Sequence, residues 1–127
     1  MYAGFKNVLY LGQPDIKGAP YVESDIRDGV RQLVDHLVRS GSRRIVLDVT
    51  TRFYRSVRER IDGYKDGLAK NSIVFDEDLL ADYNGDLSGV DAVVEKAMET
   101  GADAIIAGND MRALRIIKQL YGMNIKV

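Results

Sequence analysis

The sequence predicts an α/β domain, a three-layer open parallel sheet with helices on both faces. Three observations predict it. Short apolar runs alternate with amphipathic stretches four times along 127 residues. The connections between them are a few residues long, as in parallel strands joined by right-handed crossover helices. The third is the run Ala104-Ile105-Ile106-Ala107, which breaks at Gly108 and opens Asn109-Asp110 directly onto a helical pattern. Two short polar side chains then stand at the C-terminal end of a strand, where open parallel sheets bind ligands.

In chain order, Asn7–Gly12 (NVLYLG) reads as a strand ending in glycine. Gln13–Pro20 holds both prolines and is a loop or crossing segment. Tyr21-Val22-Glu23 is a short strand, and Ser24-Asp25 offers an N-cap. Val30, Leu33, Val34, Leu37 and Val38 form one apolar helical stripe, which Gly41 ends. Arg44–Val49 (RIVLDV) is the next strand, followed by a polar loop over Thr50–Ser56. Val57, Ile61, Tyr64 and Leu68 mark a second helix, in which Gly63 and Gly67 weaken the backbone and so point to close packing. After a loop over Asn71–Asp78, Leu79–Tyr83 is a strand and Asn84-Gly85-Asp86 a turn. Asp86 or Ser88 caps a third helix with Val90, Val93, Val94, Ala97 and Met98 inward and Gly101 as its stop. A fourth helix runs from Asp110 to Tyr121 with Gly122 as its stop, and Ile125-Lys126-Val127 starts a further strand. Ending inside a strand, the chain reads as a piece of a larger protein, with residues 1–127 forming one domain.

Composition narrows the function classes. The chain is 46% hydrophobic and 29% charged with a formal net charge of −1, so no global basic field draws nucleic acid. It has no cysteine and a single histidine, His36, which removes thiolate and histidine-cluster metal sites. The N-terminus lacks the apolar core of a signal peptide, and no run reaches the roughly 20 residues of a membrane helix. The expectation is a cytoplasmic protein with no membrane partner.

The stretch TTRFYRSVRER (Thr50–Arg60) carries Arg52, Arg55, Arg58 and Arg60 with Phe53 and Tyr54, just past a strand's C-terminal end. Guanidinium forks suit hydroxyls, carboxylates or phosphates, and flat aromatics suit sugar or base faces. Ser56 and Arg60 are four apart and share a helix face, whereas Arg58 points elsewhere, into solvent. A surface loop with scattered charges is the competing reading. Asn109 and Asp110 also serve as ordinary N-caps, although capping accounts for only one of them. Asp82, Tyr83 and Asn84 close another strand and face the same crevice, unless Asn84-Gly85 is only turn chemistry. Asp48 invites comparison with a receiver-domain phosphoacceptor, but Gly12-Gln13 and Gly108-Asn109 supply neither the acidic pair nor the lysine that receiver chemistry needs. His36 flanks the apolar stripe and is structural. No nucleophile–base pair, metal cluster or carboxylate pair assembles, so the residues argue for binding rather than catalysis. The wide apolar surface of the last helix, Met111, Ala113, Leu114, Ile116, Ile117, Leu120 and Tyr121, exceeds the stripe of an ordinary surface helix and fits a homodimer contact.

Several of these stretches together resemble the LacI/GalR family of transcription regulators. His36-Leu37 and Gly41-Ser42-Arg43-Arg44-Ile45 resemble the family's "HL…GHRRI" strand entry, with serine for the usual histidine. SVRERIDGYKDGL (Ser56–Leu68) resembles its "R..GY..AL" helix, and ADAIIAGNDMRAL its "DAI.A.ND.MA.G" element. The resemblance runs from about Val8 to Val127. It implies a subdomain of the periplasmic-binding-protein-like I fold, a Rossmann- or flavodoxin-like architecture that binds a small-molecule effector, often a sugar or nucleobase, between two subdomains. Residues 1–20 would then be a crossing segment from the N-terminal subdomain. By motif position, Arg60 matches the ligand-binding arginine and Asn109 the ligand-binding asparagine, with Asp110 beside it. Ser56 and Tyr54 match loop positions that touch ligand. Asn84 falls where many members place an aromatic stacking residue, which makes Tyr83 the substitute. Gly12-Gln13 falls where many carry an aspartate, a departure that counts against a hexose. No cofactor and no metal is implied. Operator DNA would be bound only through a headpiece absent from this chain, and the dimer through the helix Asp110–Tyr121. The alternatives are a sugar-binding protein of a transport system and, third, a small flavodoxin-like enzyme.

Overall fold

The computed structural model describes residues 7–50, 52–83 and 89–127. Its elements are β1 (Tyr10–Leu11), β2 (Tyr21–Val22), α1 (Ile26–Arg39), β3 (Ile45–Val49), α2 (Arg55–Lys70), a 3-10 turn (Glu77–Leu79), β4 (Leu80–Asp82), α3 (Gly89–Thr100), β5 (Ala104–Ile106) and α4 (Asp110–Gly122). The expected α/β class and parallel sheet are observed, in two pieces. A three-stranded sheet has the order β4-β3-β5, all parallel, with Leu47 opposite both Leu80 and Ile106. A separate parallel pair joins β1 to β2.

Period two along β3 builds the three layers. Ile45, Leu47 and Val49 point into a core shared with α1 and α2, where Val34, Ile61, Tyr64 and Leu68 meet them. Val46 points the other way, into a core with α3 and α4 formed by Val90, Val93, Val94, Ala97 and Ile116. Every residue of β3 is buried, as expected of a central parallel strand covered on both faces.

The close seam between α1 and α2 follows from two glycines. A Cβ on Gly63 would lie 2.1 Å from the Arg27 carbonyl oxygen, and one on Gly67 2.6 Å from Val34 Cβ. Across this seam Arg27 donates to Asp66 at 2.6 and 3.1 Å. Asp35, buried on α1, accepts from Arg31, Lys70 and Asn71. Its carboxyl is held below the usual aspartate range, first by the Lys70 hydrogen bond and then by Asn71.

Helix ends follow the predicted chemistry with one exception. Asp25 caps α1 by accepting from Asp28 N–H. At its other end Gly41 has φ +106, while Ser42 N–H donates to Leu37 and Gly41 N–H to Val38, closing the orphan carbonyls. In α4 the expected stop, Gly122, is the last helical residue, and Asn124 takes the left-handed turn at φ +59. Asparagine tolerates that conformation because its short side chain bonds locally. The expected final strand is also absent. Ile125 N–H donates to Leu120 O at 2.9 Å, so it closes α4, and Ile125–Val127 are coil. Met98, expected inward, is 52% exposed. It sits where the edge strand β5 leaves α3 uncovered. The turn at Asn84-Gly85-Asp86 and the cap at Asp86 or Ser88 lie outside the described residues.

No helix of the described residues is long and apolar enough to cross a membrane.

Candidate functional site

The C-terminal ends of β3, β4 and β5 meet around one carboxylate. Asp48 lies on the face of β3 turned toward α4 and is fully buried. Arg112, in the first turn of α4 and itself only 5% exposed, grips it with both ends of its fork, Nε to Oδ2 at 2.6 Å and Nη2 to Oδ1 at 3.0 Å. Tyr83, just past β4, donates its hydroxyl to Oδ1 at 2.6 Å, and Gly108 N–H, just past β5, donates to Oδ2 at 2.9 Å. A carboxylate has about four acceptor sites, and here all are filled. That saturation lets two charges stay in a dry interior, because each is paired and hydrogen-bonded.

The same cluster fixes Tyr83. Arg112 Cζ stands 4.4 Å from the centre of its ring, a cation–π contact. A Cβ on Gly89 would fall 2.0 Å from Tyr83 Cδ2, so α3 also begins against this ring. Burial first, then the bond to Asp48, pushes the Tyr83 hydroxyl well above its ordinary pKa, keeping it a proton donor. The ring expected to stack on ligand is therefore engaged by Arg112 and Gly89, and it joins the strand ends together.

The arginine-rich loop sorts into three tied side chains and one untied. Arg52 pairs with Glu77 at 2.6 Å and Asp82 at 3.1 Å. Arg55 bonds Glu23, Glu59 and Gln13, and its pKa rises further, chiefly through the Glu59 and Glu23 hydrogen bonds. Arg58 is exposed, as expected, and also donates to the carbonyls of Arg52 (3.1 Å) and Phe53 (2.6 Å), which shapes the loop. Arg60 donates no hydrogen bond among the described residues, and its Nη1 would stand 3.6 Å from a Cβ placed on Gly108. The same Cβ would meet Asp48 Oδ2 at 3.3 Å, slightly tighter than ordinary contact, and Arg112 Cδ at 3.5 Å.

The remaining expected residues fall around this centre. Asn109 is exposed and its Oδ1 accepts from Arg112 N–H at 3.0 Å, the cap of α4. Its amide nitrogen stays available. Asp110 is exposed in the first turn. Tyr54 and Ser56, one turn before Arg60, line a cavity of about 660 Å³ between the β1–β2 pair and the start of α2, with Gln13 and Glu23 opposite. Asn84 lies outside the described residues. No group of three or more histidines, aspartates or glutamates that could hold a metal occurs among the described residues.

Sequence reasoning missed Arg112 and, having set aside a phosphoacceptor role for Asp48, gave that aspartate no other; as a buried, saturated carboxylate it is a structural hub. Both carried a signal. An aspartate inside the apolar strand RIVLDV requires a buried partner. An arginine in the first turn of a helix opposes the macrodipole and requires a carboxylate nearby.

No family model matches the chain. A curated relative, an uncharacterised HTH-type transcriptional regulator in the aml 5′ region of Streptomyces limosus, is 30% identical over 118 residues, covering 91% of this chain and 34% of the relative. Among solved structures, a sugar-binding LacI-family transcriptional regulator from Escherichia coli, complexed with phosphate, is 28% identical with a TM-score of 0.77. The match covers 92% of this chain and 43% of that one. The transcriptional regulator CelR, in complex with cellobiose, is 26% identical with a TM-score of 0.74, over 94% of this chain and 38% of that one. The chain spans about a third of the length of the curated relatives it matches. By sequence and by fold, the chain is similar to HTH-type and LacI-family transcription regulators.

Proposed function

We propose that this chain forms one wall of the effector-binding cleft of a LacI-type regulator, that it binds without catalysing, and that the effector is a sugar or a related small metabolite. The observation that carries this reading is Arg60: of the four loop arginines it alone donates no hydrogen bond among the described residues, and it stands beside Gly108 next to Asn109. A partly exposed guanidinium and a free amide nitrogen offer donors to a hydroxylated ligand. Tyr54 and Ser56 extend the same wall toward the cavity under β1 and β2, and Asp110 adds an acceptor. Residues 1–20 act as the crossing segment toward a second subdomain that completes the cleft. DNA recognition belongs to the part of such regulators that this chain does not match, and the setting is cytoplasmic. The regulators among the matches favour this reading over a transport protein.

Calorimetric titration with cellobiose and a panel of mono- and disaccharides tests it on the parent protein. Arg60→Ala removes charge-assisted hydrogen bonds of about 1.5–3 kcal/mol, so affinity falls about 10- to 100-fold. Because Arg60 makes no hydrogen bond or ion pair among the described residues, thermal stability stays within about 0.5 kcal/mol of wild type. Unchanged affinity removes Arg60 from the site.

The exposed face of α4 supports a homodimer. Met111, Leu114 and Tyr121 are 62%, 61% and 57% exposed on one helix, more apolar surface than a lone surface helix presents. Leu114→Glu is expected to shift sedimentation from dimer toward monomer without changing the circular dichroism spectrum. An unshifted dimer moves the contact elsewhere.

A further inference from the structure

We propose that Arg112 is a positioning residue whose task is to saturate Asp48 and thereby leave Arg60 free for ligand. The inference rests on the effector-site reading above and deepens it. Two arginine side chains and one carboxylate converge on Gly108. A single point beside that glycine lies 3.3 Å from Asp48 Oδ2, 3.5 Å from Arg112 Cδ and 3.6 Å from Arg60 Nη1. A buried carboxylate at such a place takes whichever cation completes its hydrogen bonds. The geometry gives it to Arg112. The fork of Arg112 spans both oxygens, while Tyr83 and Gly108 N–H fill the remaining acceptor sites. Arg60 forms no ion pair with Asp48, although both border the same glycine. The cation on α4 is spent on structure, and the cation on α2, one turn after Ser56, keeps its donors for two adjacent acceptor oxygens of a bound molecule.

This arrangement predicts a non-additive response. With Arg112 shortened to methionine, Asp48 loses its one cationic partner and two charge-assisted hydrogen bonds, and Arg60 is the guanidinium left bordering the same glycine. Arg60 then turns inward, and the site loses its donor although Arg112 never touches ligand. Removing the carboxylate as well, in Asp48→Leu/Arg112→Met, leaves nothing to capture Arg60 and returns it to the crevice. A merely structural ion pair would instead give a double variant no better at binding than the single.

The test reads arginine side chains directly, by nitrogen NMR of the 127-residue chain, with the Arg60 signal assigned by its loss in Arg60→Lys. In the wild type, Arg112 shows slowly rotating, separately resolved Nη groups, and Arg60 shows averaged ones. In Arg112→Met the Arg60 groups become resolved, and in the double variant they average again. Resolved Arg60 groups in the wild type, or averaged groups in a folded Arg112→Met, overturn the proposal. If Arg112→Met does not fold, the wild-type spectrum and the double variant still decide. Cellobiose titration of the parent protein supplies a second readout, with affinity at least tenfold weaker in Arg112→Met and within threefold of wild type in the double variant. Wild-type binding that survives Arg112→Met unchanged refutes the positioning role. Failure of every protein to bind cellobiose, with the NMR responses as expected, instead counts against that sugar as effector and leaves the positioning role standing.

Discussion

Replacing Gly63 by alanine sets two known effects against each other on one helix. Alanine gains about 1 kcal/mol over glycine in a helix interior. Against that gain, the new Cβ would lie 2.1 Å from the Arg27 carbonyl oxygen and 2.9 Å from the carbonyl carbon. Ordinary contact begins near 3.4 Å, so α1 must retreat by more than 1 Å. The obstacle is backbone and cannot rotate aside. Overpacking of this kind costs about 1–3 kcal/mol. A seam opened by 0.5–1 Å also forfeits a quarter to a half of its dispersion energy. The upper end applies, and the net loss is about 2 kcal/mol, or about 8 °C in Tm for a chain of this size. Gly29, on α1, is the control. Nothing lies within 4 Å of its Cβ position, so Gly29→Ala should gain about 1 kcal/mol and raise Tm by about 4 °C. Urea unfolding followed by circular dichroism reads both as changes in midpoint at constant slope. A Gly63→Ala chain as stable as wild type, or a destabilised Gly29→Ala chain, would refute the close-seam account.

Two titrations complete the set. Burial pushes the Tyr64 hydroxyl up to about 12, and it donates to Ile45 O at 2.7 Å. Its contribution to stability is full below the unfolded value near 10 and is lost as pH rises through 12. Tyr64→Phe should therefore cost about 1–3 kcal/mol at neutral pH and remove the steepest part of the alkaline loss, while absorbance at 295 nm shows one late-ionising tyrosine fewer. Asp35 runs the other way. Its folded pKa lies below the ordinary aspartate value of about 3.9, so its contribution is present above about pH 4 and fades as acid protonates it in the folded state. Asp35→Asn should be less stable at pH 7 and show a shallower fall below pH 4; an unchanged acid profile would remove Asp35 as the hub of the seam.

How much was legible in the sequence depended on whether a signal was local. The α1 stripe, its Asp25 cap and its Gly41 stop involve residues a few positions apart, and the structure repeats them except at Leu33, which is 49% exposed at the edge of the stripe. The seam glycines were legible too, because glycine in a helix interior has a cost that only packing repays. The end of α4 was harder. Gly122 and Asn124 both suit a left-handed turn, and the choice was made by Ile125 closing onto Leu120. The site was half legible. The motif pointed to Arg60 and Asn109 as candidates, but which of four arginines stays untied depends on Glu77, Glu23, Glu59 and two backbone carbonyls. The Arg55–Glu59 pair follows i,i+4 helix spacing, but no spacing rule brings Glu77 and Glu23 to the loop. The Asp48–Arg112 pair spans 64 positions, beyond any periodic pattern.

The alternation along β3 gives Asp48 one more consequence. A strand displaced by a single residue turns every side chain to the opposite face. Most of β3 would tolerate that, since Ile45, Val46, Leu47 and Val49 are interchangeable as apolar filling. Asp48 would not. Turned toward Tyr64 and Leu68, it would sit as a bare carboxylate in a core whose nearest hydroxyl is already given to Ile45 O. One charged residue in an otherwise uniform strand thus tells the chain which way round the sheet is to be assembled.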